Sequence, residues 1–259
     1  MDGAMNVKTG VISSTILLTS LLAGCGGGGA STQTPVSVVT TRAEGAYSGT
    51  LSNGLEHSTV VLENDDYYAI YGKTLDGVFR ISGFLQGSGK SLNGSFTSSD
   101  MKDFYYTGAV LTGSLSASYV PGVSFNGSFV DNGATFTITG TAINPASYNY
   151  NTAAMLANVV GAWTISDLTG SPAALTVSAN GAFTTSSGGC ISTGMVTPRS
   201  SGKNVFDVSL KFGGAPCSLA GQSANGIALE YAIAGGKRQF MVVVENASRS
   251  VGAIYFGAR

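Results

Sequence analysis

Short apolar runs, most of five to eight residues and punctuated by Gly, Asn or Asp, recur from Gly45 to Phe256. Runs of this length are strand-sized and too short for a helix to lay a buried stripe. Asn53-Gly54, Asp76-Gly77, Pro121-Gly122, Asn132-Gly133, Asn180-Gly181, Gly213-Gly214 and Gly235-Gly236 fall between runs, where hairpin turns ask for positive φ. Val78-Phe79-Arg80-Ile81 and Thr135-Phe136-Thr137-Ile138-Thr139 alternate, so one face is buried and the other wet. The expected fold class is all-β, an antiparallel meander that loses its exposed edges by closing into small barrels. The 37 glycines, 23 Tyr plus Phe and 10% charged residues agree, and an apolar fraction of 43% excludes disorder.

The runs fall into two series of about eight strands. Residues 45–144 form the first expected barrel, with strands at Leu55–Leu62, Tyr67–Tyr71, Val78–Leu85, Ser91–Thr97, Phe104–Leu111, Ser114–Tyr119, Val123–Val130 and Ala134–Ala142. Residues 161–259 form the second, opened by Gly161-Ala162-Trp163, which answers Gly45-Ala46-Tyr47 at an offset of 116 residues and suggests duplication. Ser91-Leu92-Asn93-Gly94-Ser95-Phe96 recurs as Ser124-Phe125-Asn126-Gly127-Ser128-Phe129, each copy expected as a strand with a glycine kink. Residues 145–160 are a linker with a short helix over Asn151–Val160, capped by Asn151 or Thr152 and docked through Met155, Leu156, Val159 and Val160.

An apolar run from Val11 to Leu22 follows Lys8 and ends at Leu22-Ala23-Gly24-Cys25; translation can start at Met1 or Met5. About a dozen apolar residues suit a signal-peptide core and fall short of a permanent membrane span. The four residues through Cys25 resemble a bacterial lipobox. That resemblance implies cleavage before Cys25, palmitate-type lipid on its sulfur, and an outer-membrane address facing either the periplasm or the surface, since Gly26 stands where an aspartate would signal inner-membrane retention. Residues 1–24 are then the signal peptide and residues 25–44 a Gly/Ser/Thr leash, whose stretch to about residue 41 reaches about 50 Å at roughly 3.3 Å per residue.

Cys190 and Cys217 remain as a pair in an exported chain, and a disulfide between them is expected; a metal site lacks a nearby histidine or a Cys-x-x-Cys pair. A net charge of −1 gives no basic field for nucleic acid. Residues 25–158 carry five Lys/Arg against nine Asp/Glu, whereas residues 159–259 carry seven against four. This asymmetry either orients the two halves against each other or a partner, or reflects scattered solvated charges. His57, the single histidine, reads as an exposed loop residue and excludes a histidine-based triad. Glu63-Asn64-Asp65-Asp66 is either a solvated hairpin tip or a calcium ligand set without EF-hand spacing. No Gly-x-Ser-x-Gly elbow or P-loop is present, so no enzyme, cofactor or metal is expected. Convergence of Asp65, Asp66, Asp76, Asp100 and Asp103 in a cleft would be needed to restore a catalytic reading.

Tyr67, Tyr68, Tyr71, Tyr105 and Tyr106 crowd into the first barrel. Adjacent residues on a strand face opposite ways, so one of each pair should stand outside, as an anchor for a protein or glycan partner or as a half-buried wall residue. Trp163 is either the floor of the second barrel or a ligand-stacking ring. The Gly-x-Trp opening followed by a meander resembles lipocalin-like barrels and small barrel lipoprotein inhibitors. The lipobox, leash and paired Gly/Ser/Thr-rich barrels resemble surface lipoproteins of the transferrin-binding-protein and factor-H-binding-protein type. These resemblances imply a lipid-anchored, non-catalytic binding or adhesion module, or alternatively a periplasm-facing inhibitor or small-ligand carrier with its cavity near Trp163 or the cysteine bridge.

Overall fold

The computed structural model describes residues 41–76, 78–217 and 219–259; the expected signal peptide, Cys25 and the expected leash through residue 40 lie outside them. The described chain is all-β and forms two closed eight-stranded antiparallel barrels. Barrel 1 comprises β1 (Gly45–Leu51), β2 (Glu56–Val61), β3 (Asp66–Leu75), β4 (Val78–Ser88), β6 (Ser95–Tyr105), β7 (Val110–Val120), β8 (Ser124–Asp131) and β9 (Ala134–Ala142). Pairing of β1 with β9 and of β4 with β6 closes the ring, and the three-residue β5 (Lys90–Leu92) is an annex on β6.

Barrel 2 comprises β10 (Gly161–Asp167), β11 (Pro172–Val177), β12 (Ala182–Ser187), β13 (Cys190–Pro198), β14 (Phe206–Phe212), β15 (Ser223–Ala232), β16 (Arg238–Asn246) and β17 (Gly252–Ala258). It closes where Ser166 and Asp167 pair with Phe256 and Tyr255. Its strands fall on the runs Trp163–Ser166, Ala173–Val177, Ala182–Ser186, Cys190–Val196, Val205–Phe212, Gly226–Ile233, Gln239–Glu245 and Ser250–Phe256 that the sequence offers. Asn132 (φ 44°) and Gly133 (φ 84°) make the tight turn between β8 and β9.

The opening triplets are equivalent in use. Tyr47 and Trp163 are buried at the base of their barrels, the Tyr47 hydroxyl donating to the Ala43 carbonyl at 2.9 Å and the Trp163 indole N–H to the Val159 carbonyl at 2.8 Å. Each reaches back four residues. The Arg259 guanidinium lies 3.9 Å from the Trp163 ring centroid, a cation–π cover for the base of barrel 2.

Barrel 1 and the linker depart from expectation at four points. Ser91–Phe96 is a turn, with Asn93 (φ 50°) and Gly94 (φ 81°) joining β5 to β6, whereas the same letters at Ser124–Phe129 run straight along β8. Tertiary context decides: the Asn126 side chain accepts from the Gly140 N–H across the sheet at 3.0 Å and holds its copy extended. Phe104–Leu111 is two strand ends around a turn, and β6 instead extends back through the polar Ser98–Asp103, because the barrel interior is polar there. The expected helix is a single 3-10 turn over Leu156–Asn158, with Met155 60% exposed. Ten residues make a marginal helix, and this backbone is claimed elsewhere, Ala154 N–H donating to the Lys203 carbonyl at 3.1 Å. The end of the leash is docked as well: Ala43 is buried and donates its N–H to Ser91 Oγ at 2.9 Å, and the Thr41 carbonyl accepts from the Tyr119 hydroxyl at 2.6 Å.

The barrels pack outer face to outer face. Ile70, Phe84 and Phe104 of barrel 1 meet Met241, Val243 and Ile254 of barrel 2, and Val60 and Leu62 meet Val205 and Ile227 beside Tyr148 and Tyr150 of the linker. This explains the unbroken Phe240–Val244 run in β16: alternate residues fill barrel 2 or cover barrel 1, so both faces are buried. Three ion pairs among the described residues join the halves: Glu63–Arg199 at 2.9 Å, Glu44–Lys203 at 3.2 Å and Asp100–Arg249 at 3.0 Å. The acid belongs to the first half each time, so the charge asymmetry orients one half against the other.

Candidate binding clefts between the barrels

Among the described residues, Trp163, Cys190 and Cys217 line none of the clefts described here. Trp163 is 3% exposed and packs on Phe240 at 5.3 Å between ring centroids. The interior of barrel 2 retains about 20 Å³ among Ile165, Leu175, Phe183, Val208 and Phe240, room for one water and no more. Cys190 and Cys217 form the expected disulfide, with 2.02 Å between sulfurs, tying the start of β13 to the loop before β15.

Barrel 1 holds polar groups inside. His57 is a buried β2 residue, a correction to the exposed loop position read from its neighbours. Its Nε2–H donates to the Thr139 carbonyl and its Nδ1 accepts from the Thr59 hydroxyl, both at 2.9 Å, which fixes the neutral tautomer. Burial lowers its pKa. The Tyr71 hydroxyl donates to Asp103 Oδ1 at 2.6 Å, with buried Asp131 beside them, its Oδ1 lacking a hydrogen-bond partner among the described residues. Burial pushes the Asp103 carboxyl up to about 7, against the hydrogen bond from Tyr71. Burial raises the Asp131 carboxyl as well.

The other carboxylates of the first half act as ties. Asp65 accepts from the Ser91 N–H at 3.0 Å and hydroxyl at 2.7 Å, and Asp66 from Ser88 Oγ at 2.6 Å. Asp100 accepts from the Ser88 N–H at 2.9 Å, while Glu63 holds Arg199. The 63–66 segment is therefore a clamp rather than a solvated tip.

The six aromatic candidates part company. Tyr67 and Tyr71 point into barrel 1 and are buried, and Trp163 is buried in barrel 2. Tyr68 points outward as alternation requires, but barrel 2 covers it; among sequence signals only the unbroken β16 run hinted at such a cover. Tyr106 is 50% exposed, with the half-buried Tyr105 ring 4.5 Å away. These two line an open groove of about 360 Å³ between the barrels, faced by the Asp167–Thr169 turn and the Ser250–Tyr255 segment. Asp167 is already oriented by the Thr169 hydroxyl at 2.7 Å.

A second cleft is deeper and apolar. It encloses about 220 Å³ lined by β2, β3 and β4 of barrel 1, the linker at Ser147 and Tyr148, and β15 and β16 of barrel 2. Of these lining residues only Tyr68 was a site candidate from the sequence, because the wall is assembled from outward positions of strands that are not neighbours in the chain.

No family model and no curated protein sequence matches this chain. Among solved structures, a protein of unknown function from the DUF3598 family of Nostoc punctiforme aligns at 10% identity over 83% of this chain and 94% of that one, with a TM-score of 0.25, a likeness too loose to carry fold or function.

Proposed function

We propose that this is a lipid-anchored, non-catalytic binding module of the bacterial outer membrane that meets a protein or glycan partner at the Tyr105–Tyr106 groove. The observation that carries the reading is the half-exposed Tyr106 ring beside Tyr105 at the mouth of a groove rimmed by carboxylate and hydroxyl groups. Aromatic anchors within a polar rim are the composition of a recognition surface. The non-catalytic part is supported by the bonding of the chemistry-bearing groups: His57 is engaged on both ring nitrogens, and the Asp103–Asp131 pair is buried in the barrel wall. The small free volume inside barrel 2, about 20 Å³, favours this reading over the carrier alternative. Anchorage rests on Leu22–Cys25 alone.

Two experiments test the reading. Cys25→Ser should abolish labelling by a palmitate analogue and release the chain from membranes, whereas persistent labelling would refute lipidation. The full-length Cys25→Ser chain should then bind a subset of an immobilised glycan and matrix-protein array, and Tyr106→Ala should weaken that binding at least tenfold, the loss of about 1.4 kcal/mol for an anchor residue. Binding that ignores Tyr106 would move the contact surface elsewhere. Protease treatment of intact cells, followed at a C-terminal tag, decides between the two faces of the membrane.

A further inference from the structure

We infer that the apolar cleft between the barrels is a binding site for a small, neutral, single-ring aromatic molecule bearing one oxygen acceptor. It is separate from the Tyr105–Tyr106 groove and does not depend on it.

Size sets the first limit. The cleft leaves about 220 Å³ between the two barrels. An apolar cavity of about 150 Å³ accepts benzene, and drug-sized ligands need roughly 300 Å³ or more. One ring with a small substituent fits between these bounds. Charge sets the second. The walls are Val60, Ile70, Phe79, Ile227, Met241 and Val243 with tyrosines and small hydroxyl residues, and no lining residue is charged. An ion would enter unpaired, at heavy cost.

Hydrogen bonding sets the third. Tyr68 and Tyr231 line the cleft, and neither hydroxyl bonds to another described residue, whereas the Tyr148 hydroxyl already donates to the Asn204 carbonyl. Burial raises the pKa of both hydroxyls, so they stay protonated and can donate to an acceptor held in the cleft. Access is available at the rim, where Ser58, Ser147 and Ala232 are exposed.

The test uses acetophenone as probe on the full-length Cys25→Ser chain, read by the Met241 methyl resonance. The expected result is a saturable shift with a dissociation constant on the order of 1 mM or tighter. Ethylbenzene, which lacks the oxygen, and Tyr68→Phe should each weaken binding about three- to tenfold. Ala232→Trp, at the exposed rim, should abolish the shift without lowering the melting temperature, and Ile227→Phe fills the cleft from within as a second block. No shift at millimolar probe, a shift that survives both blocks, or tighter binding of n-hexanol than of acetophenone would overturn the assignment. The array measurement reads the other groove, so either site can fail without the other.

Discussion

Asp103 takes up a proton on folding that the unfolded chain holds only near pH 4. Because its folded value is raised to about 7, the folded state binds more protons between about pH 4 and pH 7, and its contribution to stability declines across that window as the pH rises. Glu245, pushed up to about 7 by burial against the pull of Arg249, acts in the same sense. His57 acts the other way: its lowered pKa makes the folded state shed a proton, so its share of stability is lost as the pH falls below 6.5. Asp103→Asn should therefore flatten the decline between pH 4 and pH 7 in urea titrations, by roughly 1 kcal/mol or more. At this scale the sequence was least legible. Buried and exposed tyrosines carry the same letter, and strand parity separates Tyr67 from Tyr68 without revealing that a second barrel covers the outward one.

Elements were far more readable, because turns are local chemistry. Apolar runs, with Asn-Gly and Gly-Gly punctuation at three of the turns, located the strands of barrel 2, and the one pattern that misled in the linker was a ten-residue amphipathic spacing whose backbone is drawn into contact with Lys203. The polar stretch Ser98–Asp103 escaped notice because the usual contrast between wet and dry faces is absent where a barrel is polar inside. Two predictions belong here. The Cys190–Cys217 bridge closes a separation of 27 residues, so Cys217→Ser should lower stability by about 3.5 kcal/mol in guanidinium titrations. On β17, a Cβ at Gly252 would lie 2.5 Å from Phe104 and 2.6 Å from Phe84, the stacked pair of barrel 1. Gly252→Ala should accordingly cost about 1–3 kcal/mol by forcing the barrels apart, visible as a lower urea midpoint.

For the whole molecule, the imbalance of charge between the halves has become a set of cross-barrel ties. Arg199 is largely buried between Glu63 of barrel 1 and Asp207 of barrel 2. A double-mutant cycle on Arg199→Ala and Glu63→Ala should give a coupling of about 1 kcal/mol that shrinks in high salt, and a coupling indistinguishable from zero would make the pair decorative. The closing of each barrel by its first and last strands also sets a clock. Barrel 1 is complete once residue 142 has emerged from whatever conduit carries the chain, but barrel 2 waits for Gly252–Ala258 to meet β10. Until then Ile70, Phe84 and Phe104 stand bare beside a half-made neighbour, so the hazard of misassembly falls late in the journey, in the interval between two closures.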